Sequence, residues 1–305
     1  MVINQQNLDS LYHGYSAAFN KAFNDAETNY PKIAMTVPSS TRETTYAWMG
    51  QIPSMREWIG DREIQNLIAH DYTIKNKTYE LTTRVPVNDI ADDQYGIYTP
   101  LVQEMGLSAK KHPDVLTFDL LGKGFNEKCY DGKAFFSNEH PMGNDNKTVQ
   151  SNKGTKKLCA ASYTEARQAL MTIKGDSERT LNIVPDLLVV APQNEAIARE
   201  LLFADLIAGT SNTNKNTCDL LVVPELTDYP DQWYLLCTKR YIKPLVYQER
   251  EKPKLVCKNK ETDDNVFFND EVLYGIKARY NVGFGLWQLA YGSTGEDAAE
   301  TATKG

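Results

Sequence analysis

Residues 97–125, IYTPLVQEMGLSAKKHPDVLTFDLLGKGF, constrain the fold more than any other stretch. They read as one long helix. Gly96 closes what precedes it, Thr99 has the chemistry of an N-cap, and Pro100 then takes the first helical position, where its missing N–H costs nothing. Glu104 lies toward the positive end of the macrodipole. Leu101, Met105, Ser108, Ala109 and His112 recur at helical spacing, and Leu116 and Leu120 continue that face. Gly122 and Gly124 supply the stop. At about 1.5 Å per residue, ~29 residues would span ~43 Å, more than the diameter of a small domain. Such a helix needs a partner along its whole length, either a sheet laid across it or neighbouring subunits. Pro113 removes a backbone bond and predicts a kink or a break. The alternative is therefore two ordinary core helices meeting at Pro113.

The 305 residues suffice for one large domain or two ordinary ones, and 41% hydrophobic with 24% charged residues describes a folded globular chain. A net charge of −7 argues against a nucleic-acid grip, which wants a basic face. Apolar runs are strand-sized, too short for a membrane span. The opening MVINQQNLDS has neither the basic nor the apolar part of a secretory signal. Five widely spaced cysteines without a C-x-x-C pair read as reduced thiols in a cytoplasmic protein.

Residues 7–24 predict an amphipathic helix through Leu8, Leu11, Tyr12, Tyr15, Phe19 and Phe23, ended by Tyr30-Pro31 and followed by an extended strap to Ser40. Thr44 to Gly50 reads as a strand, and Ser54 caps a short helical turn carrying Trp58. YTIKNKTYELTTRVPV (72–87) alternates through Tyr72, Ile74, Tyr79, Leu81, Thr83, Val85 and Val87. It predicts a long hairpin with a polar tip at Lys75 to Thr78. A two-stranded ribbon alone is marginal in water, so it should rest on another chain. Beyond the long helix, a capping box at Ser162 and Glu165 opens a helix to Lys174. Asp186–Val190 and Leu220–Val223 are buried strands closed by Pro192 and Pro224, flanking a helix over 193–207 and a polar loop over 209–217. The last part is β: Trp233–Thr238, Lys243–Tyr247, Lys254–Lys258, Val272–Tyr280 and Phe284–Tyr291. QEREKP (248–253) forms an exposed turn, and Val282-Gly283 a turn or bulge.

Catalytic chemistry is thin. The four histidines are isolated, with no zinc spacing. Cys129 and His140 have the residue types of a nucleophile and its base, but also of a half-buried Cys beside a His-Pro turn, which is the reading adopted. Asp263, Asp264, Asp270 and Glu271 lack the spacing of a calcium loop. Lys75 and Lys77 are read as polar tip residues, the alternative being a covalent link to a neighbour. No catalytic, cofactor or metal site is assigned.

Several stretches carry a family resemblance: YPKIAM (30–35), REWIGDREIQ (56–65), YTIKNKTYE (72–80), DDQYGIYTPLVQEMG (92–106), CYDGKAFFSNEHP (129–141), QEREKP (248–253) and FFNDEVLYGIKARYNVGFGLWQLAYG (267–292). In this order they resemble the Mu-like phage major head subunit family. The resemblance implies an α+β chain with the tailed-phage major capsid fold. Its parts would be an N-terminal arm (1–43), an extended hairpin loop (44–84), a peripheral domain with the spine helix (85–125), an axial domain (126–241), strands returning to the peripheral domain (242–292) and a disordered tail (293–305). It implies a shell subunit that assembles with itself into hexamers and pentamers, enclosing double-stranded DNA without gripping it by sequence. Scaffold, protease and portal proteins are implied partners, and the virion the location, after assembly in the host cytoplasm. The alternative is an encapsulin-like cargo compartment. The expected assembly contacts are Trp58, Tyr72, Ile74, Lys75, Lys77 and Tyr79 on the ribbon, and Asn212 and Asn214 on a loop near the capsomer axis.

Overall fold

A computed structural model describes residues 4–46, 72–92, 96–142, 148–175, 179–207, 209–260 and 262–296. Helix α1 (Gln5–Asp25) starts two residues earlier than its apolar pattern, because Asn4 caps it by accepting the Asn7 N–H at 2.8 Å. After it come a single turn α2 (Tyr30–Ile33), strand β1 (Ala34–Pro38) and strand β2 (Glu43–Thr45). β3 (Thr73–Lys75) and β4 (Lys77–Pro86) follow, then α3 (Val87–Asp92) and the long helix α4 (Thr99–Gly122). α4 runs through Pro113 without a break, which decides for one helix over two. At 1.5 Å per residue its 24 residues span ~36 Å. It starts one residue earlier than the expected cap, since Tyr98 and not Thr99 is its N-cap, and it ends earlier than expected, since Lys123–Phe125 forms a separate 3-10 turn.

The buried face of α4 is turned by about one position from the apolar pattern. Leu101 is 40% exposed, while Val102, Met105, Gly106, Asp114, Thr117, Phe118 and Leu121 are buried. The reason is α1, which lies so close that a Cβ on Gly106 would sit 2.7 Å from the Phe19 carbonyl oxygen. Close backbone approach and a buried carboxylate set this face as much as apolar side chains do.

The chain then forms β5 (His140–Met142), β6 (Thr148–Gln150) and β7 (Lys153–Gly154), followed by α5 (Ala160–Thr172). The capping box of α5 exists, but Cys159 is the cap and Ser162 its third helical residue, so the helix begins and ends two residues early. β8 (Leu187–Val190) is wholly buried, as its apolar run requires. α6 (Glu195–Phe203) stops short of Ile207, because β9 (Leu206–Ile207) turns at Gly209, φ +79°, to pair with β10 (Thr210–Ser211). β11 (Asp219–Val222) lies parallel to β8, completing the expected crossover, and β12 (Trp233–Leu236) lies antiparallel on its other side.

β13 (Leu245–Lys258) is one strand, not two. QEREKP lies inside it, and the register shifts between Glu249 and Lys254 accommodate the extra residues as an irregularity instead of a turn. α7 (Asp264–Asn269) links it to β14 (Glu271–Phe284), which runs through Val282-Gly283 without turning. β15 (Ala290–Ser293) ends the described chain. Two main sheets result. One has order β1-β13-β14-β4; the other has order β11-β8-β12-β15-β7. β15 thus belongs with the second sheet and does not return to the first. Ser293, expected at the start of a loose tail, is fully buried and donates to the Lys156 carbonyl at 2.6 Å.

Among the described residues two large buried cores follow, with a small third one of Tyr46, Ile74 and Val246. The distal core gathers Leu8, Tyr15, Phe19, Val85, Leu255, Val272 and Tyr274 under α1; the larger core surrounds the second sheet. α4 joins both, with Val102 and Met105 in the first and Phe118 and Leu121 in the second. Among the described residues, no helix is long and apolar enough to cross a membrane.

Candidate assembly surfaces and the polar clamps beneath them

The expected hairpin of residues 72–87 does not form. β3 pairs antiparallel with β2, Glu43 opposite Lys75 and Thr45 opposite Thr73, whereas β4 pairs with β14, Lys77 opposite Tyr280. Lys75 to Thr78 therefore lies at the root where the β2–β3 pair meets β4, and is not the tip of a hairpin. Trp58 lies outside the described residues. A group of buried polar side chains ties the root down. Asn76 donates to Ser39 Oγ and to the Thr41 carbonyl, both at 2.9 Å. Gln248, fully buried, donates to Asn76 Oδ1 at 2.8 Å and the Ile74 carbonyl at 3.1 Å, and accepts from the Tyr46 hydroxyl at 2.9 Å. Periodicity missed this group because KNKT and QEREKP look solvated. The available signal was one uncharged amide among charges.

The other expected contacts divide the same way. Ile74 is buried. The Tyr72 hydroxyl accepts the Phe284 N–H at 2.8 Å, and burial pushes its phenol up to about 12. Tyr79 stacks on Tyr280 with centroids 4.8 Å apart and packs against His112. Asn212 donates to the Leu201 and Ala204 carbonyls at 2.9 Å, satisfying the end of α6, and its Oδ1 receives the Asn214 N–H. Asn214 is buried. Of the described set, only Lys75 and Lys77 carry exposed side chains. Gln248→Leu should cost roughly 2–3 kcal/mol by orphaning partners in the loop root. Thermal denaturation measures this, and an unchanged melting temperature would contradict it.

A second cluster centres on Asn152. Its Nδ2 donates to the carbonyls of Phe135 (2.8 Å), Trp287 (3.2 Å) and Ala290 (3.1 Å). Its Oδ1 accepts the Ser137 N–H at 2.9 Å and lies 3.1 Å from His140 Nε2. The His140 ring stacks flat on Trp287 at 4.0 Å. His140 Nδ1 meets Asp131 Oδ2 at 2.6 Å, and the Cys129 thiol donates to Asp131 Oδ1 at 3.1 Å. Cys129 and His140 are thus separated by a carboxylate and are not paired as nucleophile and base. Burial, with Asp131 beside it, pushes the Cys129 thiol far up, away from the thiolate. The donor atoms of Cys129, Asp131 and His140 lie within 4.8 Å of one another, and hydrogen bonds through the Asp131 carboxylate join them.

Burial pushes the Asp131 carboxyl upward. The His140 hydrogen bond and charge oppose it, joined by the Cys129 thiol and the Lys133 N–H, and hold it below the usual carboxylate range. A lowered folded pKa means stability that is present above the unfolded pKa, about 3.9, and lost as pH falls through the folded value. Asp131→Asn should therefore be destabilised near neutrality. Its deficit against the unsubstituted chain should shrink with acidification below about pH 4. Denaturant unfolding at several pH values measures this; a deficit constant with pH would exclude it.

The acidic group near the chain's far corner is dispersed. Asp270 accepts from Asn88, Glu271 meets Arg84 at 3.5 Å, and Asp263 accepts the Lys260 N–H.

Comparison with known proteins is specific. The family model of the Mu-like prophage major head subunit gpT matches residues 8–159, 153–226 and 227–304. The major capsid protein of Escherichia phage Mu is 34% identical over the whole chain, which spans 79% of that protein. The Mu-like prophage FluMu major head subunit of Haemophilus influenzae is 30% identical over 97% of the chain and 75% of its own length. Among solved structures, a chain of the procapsid of bacteriophage JBD30 superposes with a TM-score of 0.62 at 34% identity, over 98% of this chain and 79% of that one. The chain belongs to the Mu-like phage major head subunit family and is a major capsid protein with the α+β fold of tailed-phage capsids.

Proposed function

We propose that copies of this chain close into an icosahedral head around double-stranded DNA, in rings of five and six, with scaffold, protease and portal proteins acting on the same shell in the host cytoplasm. The chain contributes structure and no catalysis. The observation that carries the reading is the root formed by β2 and β3: buried Asn76 and Gln248 tie this strand pair to the first sheet through β13, giving it a rigid base. In this reading α1 and the strap through β1 are the arm, the loop rooted at β2 and β3 is the extended loop, and α4 is the spine. The second sheet is the axial domain. A protein-filled compartment of the same fold is the less favoured reading, since the relatives at 30% identity or more are phage heads and procapsids.

Electron microscopy of the purified assembly tests the reading. Large shells holding double-stranded DNA are expected. Small protein-filled shells, or only soluble monomers, would overturn it. The genome is held by confinement: with a net charge of −7 the subunit has little counterion release to offer. Gel shift of unassembled subunits at about 150 mM salt should show Kd no tighter than roughly 10⁻⁶ M. Tighter binding with a steep salt slope would reveal a nucleic-acid site.

A further inference from the structure

Phe267 and Phe268 stand together on α7, each 74% exposed, with rings edge to face and centroids 5.0 Å apart. The turn does not need them. Asn265 closes it by donating to the Lys258 and Glu271 carbonyls, and Val266 packs on the distal core. Two adjacent phenyl rings in water at the corner of a sheet are surface kept for burial elsewhere. Asp263, Asp264 and Asp270 lie on the same segment. Like-on-like contact would bring these carboxylates together, so the partner surface is a different one, with positive charge and apolar area. The chain possesses such a surface. A groove of about 240 Å³ between α1, α4 and β13 has Phe23, Tyr247 and Pro113 in its wall, with two cations, Lys110 and Lys252, against one carboxylate, Glu249. The Lys110 ammonium lies 4.9 Å from the Phe23 ring, and Lys252 faces Glu249 at 3.9 Å.

We propose that the Phe267–Phe268 pair docks head to tail on a different surface of a second copy of this chain. The two rings bury at most about 300–500 Å², against roughly 800 Å² per partner in a stable complex. Alone they make no dimer; they act as one of several contacts that a shell completes together. A head-to-tail contact of this kind is the sort that closes into rings. The proposal rests on the chain being a shell subunit.

The test is photo-crosslinking in assembled heads built from a mixture of isotopically light and heavy subunits carrying Phe268→p-benzoylphenylalanine. Heavy–light adducts joining position 268 to a peptide outside 260–272 are expected. Adducts to α7 of another copy, adducts only to another protein, or none at all would overturn the contact. The parallel variant F267S/F268S should keep its melting temperature and lose at least tenfold in shell yield; an undiminished yield would also overturn it. If the unsubstituted chain itself yields no shells, the shell reading fails, and that result is distinguishable from normal shells lacking the adduct.

Discussion

Asn152→Leu is expected to unfold the larger core at temperatures where the unsubstituted chain is stable. The amide serves five partners: three carbonyls, one N–H and one ring nitrogen, drawn from residues 135–140 and 287–290. Asn152 is fully buried, so no water replaces it. A buried polar group left unpaired costs roughly 1–3 kcal/mol, and several at once give a loss on the order of 5 kcal/mol, comparable to the whole stability of many domains. Leucine has nearly the right volume, which separates lost hydrogen bonds from a cavity. Asn152→Asp isolates the donors: it keeps the acceptor but presents a carboxylate oxygen to three carbonyls, and should be nearly as damaging. Circular dichroism melts of both variants measure this. Leucine tolerated within about 1 kcal/mol would mean that neighbouring groups re-pair and that the amide is dispensable.

That residue shows where sequence reading stops. Asn152 sits in a polar run, SNKGTKK, whose composition describes a surface loop. Its burial is decided in part by Trp287 and Ala290, 135 and 138 residues away, which no local period contains. The same limit explains β15. Local pattern reads one strand over Phe284–Tyr291, but Trp287–Leu289 is a 3-10 turn and the strand is Ala290–Ser293, because its place and its sheet rest on pairing with Trp233–Leu236. By contrast, β8 was legible as a buried strand, since a continuous apolar run bounded by prolines has few other uses. The long helix was legible because its period and stops agree; its facing was not, because Gly106 and Asp114 bury through backbone approach and hydrogen bonds. Assembly contacts were the least legible. Side chains chosen for looking too polar to be core, such as Asn212 and Asn214, bond within the chain itself: Asn212 donates to the Leu201 and Ala204 carbonyls, and Asn214 Oδ1 accepts from the Thr164 hydroxyl.

Asp114→Ala should detach α2 and the entry of β1 from α4. Asp114 is 2% exposed within α4, and its carboxylate receives the Tyr30 N–H at 2.6 Å and the Asn29 N–H at 3.0 Å. These are the first amides of α2, which has no cap of its own, so a side chain from α4 caps it across the chain. The turn it holds sets the entry of β1, whose five residues pair parallel with β13. Hydrogen bonds to a charged acceptor contribute about 1.5–3 kcal/mol each, so losing both should cost on the order of 3–5 kcal/mol. Asp114→Asn separates shape from charge: one oxygen can still accept both amides, and its loss should be about half as large. Burial pushes the Asp114 carboxyl up, and the Asn29 and Tyr30 amides counter part of that rise. A raised folded pKa means that this group's contribution declines as pH rises through the folded value, and Asp114→Asn should remove that decline. Limited proteolysis within residues 26–40, followed across pH, reads the detachment directly. Cleavage of Asp114→Ala no faster than that of the unsubstituted chain would show that β1 pairing alone retains this segment.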